Sequence, residues 1–328
     1  MSGIIYKGFL GFLLIACGLA HESFASIDSS QFNHSSGLSE LEPDTPLVLS
    51  YHGGPLLTGP EYINVYILWY GKFTLAQKTP ILDFFSSFNY SQNSQPSLKS
   101  WWAILRSYKD SSNTSISPNV RLAKQASDVS CSIGKSLNRS SMGSLIRSAL
   151  VKKQFPINPK GIYLVLTAED VFVERFCMSS CGFHDSMKVS NRKKVVISWV
   201  GNSGVQCPGY CSWPFAYPGY GPPIPPLIPP NGDVGIDGMV IVIATILAGT
   251  ASDPFGDGYY AGLASAPQEA ATACSGVFGP GAYPSYPGKL LMDNKTNASY
   301  NVYGITGRTF LLPALWSPLT ASCKTTLG

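Results

Sequence analysis

Two apolar runs, Gly161–Thr167 (GIYLVLT) and Lys194–Val200 (KVVISWV), decide the fold class of this chain. Both are short, rich in β-branched residues and bounded by turn residues, which is typical of strands that are buried on both faces. A third run, Tyr62–Tyr70 (YINVYILWY), combines β-branched and aromatic residues and predicts another core strand. A shorter run at Leu47–Tyr51 predicts a strand at the point where order begins.

Three segments with helical periodicity lie between the core strands, at Gln77–Phe88, Trp101–Tyr108 and Ser141–Lys153. Helices placed between buried strands favour a mixed α/β (α+β) domain with a central mixed sheet over a β-sandwich. The proline run Pro222–Pro230 then opens a Pro/Gly-rich C-terminal part, which we expect to contain short strands and to be braced by disulfides.

The N-terminal residues have the layout of a secretory signal peptide. Lys7 precedes the uncharged apolar run Gly8–Ala20, and small residues mark a cleavage position after Ala25, with Ala20 as the alternative. We therefore predict a signal peptide over residues 1–25, a flexible mature N-terminus over residues 26–46 and one globular domain over residues 47–328.

A later apolar stretch, Met239–Ala251, is too short to cross a bilayer of about 30 Å. We interpret it as a buried core segment and expect no membrane insertion. The chain is thus predicted to be secreted.

The composition restricts the partners. Of the 328 residues, 45% are hydrophobic and 13% are charged, and the formal net charge is +4. The single Lys/Arg cluster, Arg192–Lys194, is too small to hold a phosphate backbone, so we expect no nucleic acid partner. The mild positive charge permits a weak attraction to an acidic polymer such as a pectin-like matrix.

Six Asn-x-Ser/Thr sequons predict glycosylation and surface loops in a secreted chain. They begin at Asn33, Asn89, Asn113, Asn138, Asn294 and Asn297.

Of the eight cysteines, Cys17 falls in the predicted signal peptide, and an odd number remains. In an oxidising compartment disulfides are the default, and an odd number leaves one thiol over. The arrangement suggests local pairs within the two C-x3-C segments and a third pair that ties the C-terminal region, with Cys131 as the spare. Cross-pairing between the two segments stays open. The candidates are Cys177, Cys181, Cys207, Cys211, Cys274 and Cys323.

The alternative for these cysteines is zinc, because the two C-x3-C segments and His184 supply enough thiolates and imidazole. Secreted thiols are usually oxidised, however, and a chain of this size folds without a metal. We therefore favour disulfides and expect no cofactor.

Catalytic motifs are sparse in this sequence. A Gly-x-Ser-x-Gly elbow is absent, and Gly201–Gly204 has the wrong register for one. The tripeptide His52–Gly54 resembles an oxyanion-hole loop but is more simply a tight turn. Outside the signal peptide the histidines are His34, in the predicted tail, and His52 and His184, for which we expect structural roles.

Two acidic pairs lie in Gly-rich segments, Asp233 with Asp237 and Asp253 with Asp257. Such pairs can hold Ca²⁺ or serve as glycosidase carboxylates. The Asp-Gly dipeptide is also common in turns, and neither pair has the spacing of an EF-hand loop.

Aromatic residues near the proline run form a candidate ligand surface, because flat apolar rings suit the faces of sugars. The alternative is that they cover the proline run. The surface comprises His184, Trp213, Phe215, Tyr217 and Tyr220.

Several blocks of this sequence resemble the plant Exordium family, also called phosphate-induced protein 1. They are YHGGPLLTG and LWYGKF near the start, FCMSSCGFH and WVGNSGVQCPGYCSWPF in the middle, and PPNGDVGIDGMV, LAGTASDPFGDGYY and GRTFLLPALW toward the end. The resemblance runs from about Val48 to Cys323. It implies an apoplastic protein associated with growth and cell expansion, with three disulfides and one extra thiol, but it names no reaction. The chain departs from the family at Ala216, where members usually carry a histidine, and at Cys131, where an aromatic is expected.

A second, more remote resemblance concerns Thr245–Pro254. The segment is similar to bacterial secreted proteins that carry His-Glu-Leu-x-Glu-Ala-x-Thr-Asp-Pro on a zincin-like helix. Here Thr245 and Ile246 replace the His and the Glu, and Gly249 replaces the second Glu. The resemblance implies a degenerate zincin-like scaffold without its catalytic groups.

Together these observations predict a non-enzymatic protein of the apoplast that acts by binding. The expected partner is a cell-wall polysaccharide or an extracellular protein. A cell-wall-modifying hydrolase, either a glycosidase or metal-dependent, is the alternative. Redox sensing through Cys131 is a weaker one, and it requires a free, accessible thiol.

Overall fold

The computed structural model describes residues 47–327 apart from 91–94, 192, 220, 221, 223 and 265. The predicted signal peptide and mature N-terminus, with Asn33 and His34, lie outside the described residues. So do Tyr220 and Arg192.

The helices of the described residues are α1 (Leu75–Ser87), α2 (Leu98–Ala103), α3 (Arg139–Val151), α4 (Pro208–Cys211) and α5 (Val234–Ser252). Their strands are β1 (Ser50–Tyr51), β2 (Ile63–Tyr70), β3 (Val120–Asp128), β4 (Ser136–Leu137), β5 (Ile162–Thr167), β6 (Phe172–Val173), β7 (Gly182–Ser190), β8 (Lys193–Gly201), β9 (Tyr259–Tyr260), β10 (Leu291–Met292), β11 (Ser299–Tyr300), β12 (Val302–Tyr303), β13 (Thr309–Phe310), β14 (Leu315–Ser317) and β15 (Ser322–Lys324).

A five-stranded mixed sheet lies at the centre of the fold, in the order β3-β2-β5-β8-β7. The first four strands are parallel to their neighbours, and β7 runs antiparallel to β8 at the edge. The three predicted core strands are its β2, β5 and β8, each within a residue of the predicted bounds. The mixed α/β class with a central mixed sheet is therefore confirmed.

Side chains of the central strands alternate between two hydrophobic cores. Trp69 and Leu164 face the core that contains α1, α2 and α5. Tyr163 and Trp199 face the core that contains α3. Because both faces are covered, β5 is buried along its whole length, which explains its unbroken apolar sequence.

The predicted helices are present with shifted ends. A capping box at Thr74 starts α1 two residues before the predicted Gln77. The second helix begins earlier than predicted and changes to a 3₁₀ helix over Ile104–Ser107. Asn138 caps α3 through the backbone N–H of Ser141, so this helix also begins before its apolar stripe.

Helix α5 is longer than the apolar stretch that predicted it. Asp233 caps it, accepting a hydrogen bond from the N–H of Ile236 at 3.0 Å. By length and composition this helix alone, among those of the described residues, could cross a membrane, but 83% of it is buried inside the fold. Burial on nearly all sides accounts for a helix that is apolar all round.

The proline run packs onto the body of the protein: the N–H of Leu227 donates to the carbonyl of Pro214 at 2.9 Å. After α5 the chain forms short two-stranded sheets joined by loops. The predicted strand at Leu47–Tyr51 is reduced to β1, which pairs with β9.

Candidate functional site

The six candidate cysteines form three disulfides, Cys177–Cys207, Cys181–Cys211 and Cys274–Cys323. The local pairs suggested by the spacing are therefore wrong, because the two C-x3-C segments are linked to each other. The third pair is as predicted. With all six sulfurs in disulfides, these cysteines supply no thiolate for zinc.

Cys131 is free and buried, with 7% of its surface exposed. Burial raises the pKa of its thiol, an effect opposed by the charge of Lys135. A redox sensor needs an accessible thiol of low pKa, so this environment does not favour that role.

A buried His–Glu pair lies between the sheet edge and α5. Strand β7 carries His184, whose Nε2 lies 2.8 Å from Oε1 of Glu269, and about nine-tenths of each side chain is buried. Burial alone would lower the pKa of His184, but the hydrogen bond and charge of Glu269, with the charge of Asp253, raise it. The direction of this shift favours the protonated imidazole of His184 in its contact with Glu269.

Asp253, the residue that ends α5, adds a second carboxyl to this cluster. It is 1% exposed, and its Oδ1 accepts a hydrogen bond from the N–H of Gly258 at 2.7 Å. Its Oδ2 is buried without a hydrogen-bond partner. Burial, and then the charge of Glu269, raise the pKa of Asp253. A raised pKa is typical of a general acid, but a side chain this deeply buried does not meet a substrate.

The cluster occupies the space that a side chain at position 249 would fill. A Cβ on Gly249 would lie 2.1 Å from Oε2 of Glu269 and 3.6 Å from Nε2 of His184. The missing side chain of Gly249 is thus what lets the ion pair pack against α5.

Of the other positions of the zincin-like resemblance, Ile246 is buried and Thr245 is half-buried. The hydroxyl of Thr245 donates to the carbonyl of Ile241 at 2.9 Å, and Ile246 is 9% exposed. In the part of the chain that the structure describes, no group of three or more His, Cys, Asp or Glu side chains could hold a metal ion. Thr245 and Ile246 offer neither imidazole nor carboxylate. The zincin-like scaffold stays a prediction.

His52 lies on the surface beside a serine. Its Nε2 is 3.1 Å from Oγ of Ser50 and 3.2 Å from the carbonyl oxygen of Tyr260, on whose ring it stacks. A carbonyl oxygen only accepts hydrogen bonds, so the contact with Tyr260 places the proton on Nε2. In that state His52 does not act as a base toward Ser50.

The first acidic pair serves the start of α5. Asp237 is 2% exposed and accepts hydrogen bonds from the backbone N–H and the amide of Asn231. Burial raises its pKa to about 7. The second pair is split, because Asp253 is buried whereas Asp257 is exposed.

One apolar groove lies beside the proline run, with a cavity volume of about 360 Å³. Its walls are uncharged and include two aromatic rings. The groove is lined by Trp213, Pro214, Ile224, Pro225, Leu227, Ser285, Tyr286, Pro287, Gly288, Leu290, Leu291, Met292 and Ser299.

The structure separates the residues of the predicted ligand surface. Trp213 lines the groove, but Phe215 is 3% exposed and packs in a core cluster with Phe278. Tyr217 is 60% exposed and is not part of the lining, and His184 is buried. Sequence reasoning missed Tyr286, although the Tyr-Pro repeat at residues 283–287 was a signal of a second aromatic cluster.

The sequon asparagines within the described residues are all exposed. Asn138 is both exposed and the cap of α3, and its capping hydrogen bonds with Ser141 use the side-chain oxygen. Glycosylation at Asn89, Asn113, Asn138, Asn294 and Asn297 stays a prediction that the exposure permits.

Comparison with known proteins gives consistent matches. The family model described as "Phosphate-induced protein 1 conserved region" matches residues 49–326. The chain is 42% identical to Protein EXORDIUM of Arabidopsis thaliana over 98% of both chains. It is 46% identical to Protein EXORDIUM-like 2 of Arabidopsis thaliana, over 87% of this chain and 92% of the relative.

A tobacco relative extends the same match. Protein PHOSPHATE-INDUCED 1 of Nicotiana tabacum is 47% identical over 87% of this chain and 90% of its own. No solved structure matches significantly. The coverage and identity together show that this chain belongs to the Exordium/phosphate-induced protein 1 family.

Proposed function

We propose that this protein is secreted into the apoplast, where it supports growth and cell expansion by binding a neutral segment of a cell-wall polysaccharide in the apolar groove. The signal-peptide layout, the exposed sequons and the three disulfides support secretion. The growth context follows from the family resemblance.

The groove is the observation that carries the binding role. Its volume of about 360 Å³ is within the range of small-ligand sites. The rings of Trp213 and Tyr286 provide flat apolar faces, and the hydroxyls of Ser285 and Ser299 provide a few polar groups. Because none of the lining residues is charged, an uncharged ligand fits better than an acidic one.

The two histidines in the described part of the chain support binding over catalysis. His184 is engaged with Glu269 in a buried pair, and the Nε2 of His52 faces a carbonyl. Neither is poised to activate a nucleophile.

The test is a binding titration of the mature secreted protein with cellohexaose and xyloglucan. Trp213→Ala removes the largest ring of the groove. Met292→Asp introduces a charge into the groove, and because Met292 is 58% exposed we expect this variant to fold. Phe172→Ala, at an exposed aromatic that does not line the groove, is the matched control.

We expect both groove variants to weaken binding about tenfold or more and the control to leave it unchanged. Binding of an extracellular protein but of neither glycan would contradict the proposal. So would equal binding by the Met292→Asp variant.

The hydrolase alternative is favoured by one observation, the raised pKa of Asp253 beside Glu269. It requires Asp253→Asn and Glu269→Gln to abolish glycan or peptide hydrolysis while the protein stays folded. Deep burial of both side chains argues against it.

A further inference from the structure

Three lysines crowd the tip of the β7–β8 hairpin. Lys188 lies near the end of β7, and Lys193 and Lys194 begin β8; all three are exposed. They line one pocket with a cavity volume of about 440 Å³, together with Pro55, Pro159, Ser190, Asn191, Phe255 and Asp257.

The hairpin register places like charges face to face. Lys188 is the direct cross-strand partner of Lys194, and a bulge follows at Lys188/Ser190 before Lys193. Like charges directly opposite each other destabilise an antiparallel pair. A lysine pair at this position therefore works against the hairpin unless something negative lies over it.

The protein supplies little negative charge to these lysines. The ion pairs of the described residues use Lys135, Arg139, His184 and Arg308, so the hairpin lysines belong to none of them. Asp257 is the single acidic residue in the lining, which leaves an excess of positive charge in the pocket.

The pocket also has an apolar platform. The ammonium group of Lys194 lies 5.9 Å from the centre of the Phe255 ring, and Pro55 and Pro159 contribute apolar walls. An aromatic ring beside several ammonium groups matches a sugar ring that carries carboxylates, because the ring stacks on the pyranose face and the lysines attract the anions. A bare phosphate would use the lysines only.

We propose that this basic pocket binds a carboxylate-bearing polysaccharide, with a uronate unit over Phe255 and its neighbours' carboxylates near the hairpin lysines. It shares no lining residue with the apolar groove. The choice of a wall polymer rests on the proposed extracellular function, but the basic pocket is a separate site. Lysine ammonium groups on an open surface are well hydrated, so binding is expected to be strongly salt-dependent.

The experiment measures binding of the mature protein to de-esterified oligogalacturonate at low and at physiological salt. Methyl-esterified oligogalacturonate, inorganic phosphate and xyloglucan are run in parallel. Lys188→Gln with Lys194→Gln is the pocket variant. Lys99→Gln with Lys152→Gln is the control, since it removes the same charge from exposed lysines outside the pocket. Phe255→Ala tests the platform.

We expect the pocket variant to bind oligogalacturonate about tenfold more weakly, with a shallower salt dependence, and the control to change affinity less than about twofold. Phe255→Ala should weaken oligogalacturonate binding without changing phosphate binding. Equal losses in the two double variants, equal binding of the esterified polymer, or binding of phosphate alone would each overturn the proposal.

The same titrations separate this proposal from the apolar groove. Oligogalacturonate binding that survives Trp213→Ala but not the lysine changes supports the basic pocket even if xyloglucan does not bind. Xyloglucan binding without oligogalacturonate binding supports the groove and refutes the basic pocket.

Discussion

His184 and Glu269, 85 residues apart in the chain, meet as a buried ion pair directly over the missing side chain of Gly249. The pair connects the antiparallel edge strand, helix α5 and the loop after it. Three distant segments therefore depend on one position that has no side chain.

Gly249→Ala should destabilise the fold. Its methyl group would lie 2.1 Å from Oε2 of Glu269, and moving that oxygen disturbs a buried pair. We expect a loss of about 1–3 kcal/mol in the free energy of unfolding, even after the gain in helix propensity from glycine to alanine. Denaturant unfolding measures this loss.

Gly143→Ala is the matched control in α3. The nearest atoms to its added Cβ lie at 3.8 Å, so the change should stabilise the protein by about 0.5–1 kcal/mol. Stabilisation by both substitutions would show that Glu269 does not fill the space over Gly249.

Stability should be greater at pH 5 than at pH 8. The folded-state pKa of His184, Asp237 and Asp253 is raised in each case, so the folded state holds protons that the unfolded chain would release. For Asp237 the stabilisation is complete below about 4 and is lost as the pH rises through about 7. For His184 it is complete below about 6.5 and is lost above that value.

The measurement is the free energy of unfolding at several pH values, where we expect a decrease on the order of a few kcal/mol from pH 5 to pH 8. Glu269→Gln removes the charge that raises the pKa of His184 and should reduce the part of this dependence that comes from His184, whereas the contribution of Asp237 should remain. A stability that rises toward pH 8 would contradict the assignment of all three groups.

The buried strands were predictable, whereas the edges of the sheet were not. β2, β5 and β8 are covered on both faces, so their sequences are continuous apolar runs. The edge strands β3 and β7 are partly exposed and carry mixed polar residues, so their sequence patterns resemble those of loops. Their existence follows from pairing with a neighbour, which a local pattern does not encode.

The candidate sites were predictable only in part. Trp213 was identified as a ligand-surface residue, but the far wall of its groove, Ser285 to Met292 with Ser299, comes from a segment more than 70 residues later. His184 was noted as a histidine, yet Glu269 carried no local signal, because an isolated glutamate in a loop resembles any surface acid. Pairings across such distances depend on the tertiary fold.

Cys131 should be inert in the folded protein. Its burial and raised pKa keep it a thiol shielded from solvent. In the time in which an exposed cysteine reacts completely with an aromatic disulfide reagent, we expect no thiol of the native protein to be modified. After denaturation we expect one thiol to react. Rapid modification of Cys131 in the native protein would restore the redox alternative.

Disulfide mapping should find the two C-x3-C segments linked to each other. Trypsin does not cleave within either segment, so an unreduced digest should contain one joined species, whereas local pairs would give two separate peptides. Cleavage after Met178 and after Tyr210 separates the cysteines of each segment and should release Cys177 with Cys207 and Cys181 with Cys211. An isolated bridge over 30 residues contributes about 3–4 kcal/mol to the free energy of unfolding, but the Cys181–Cys211 bridge closes nearly the same loop, so serine at both Cys177 and Cys207 should cost less than that value. Separate peptides in the tryptic digest would show instead that the spacing was the better guide to the pairing.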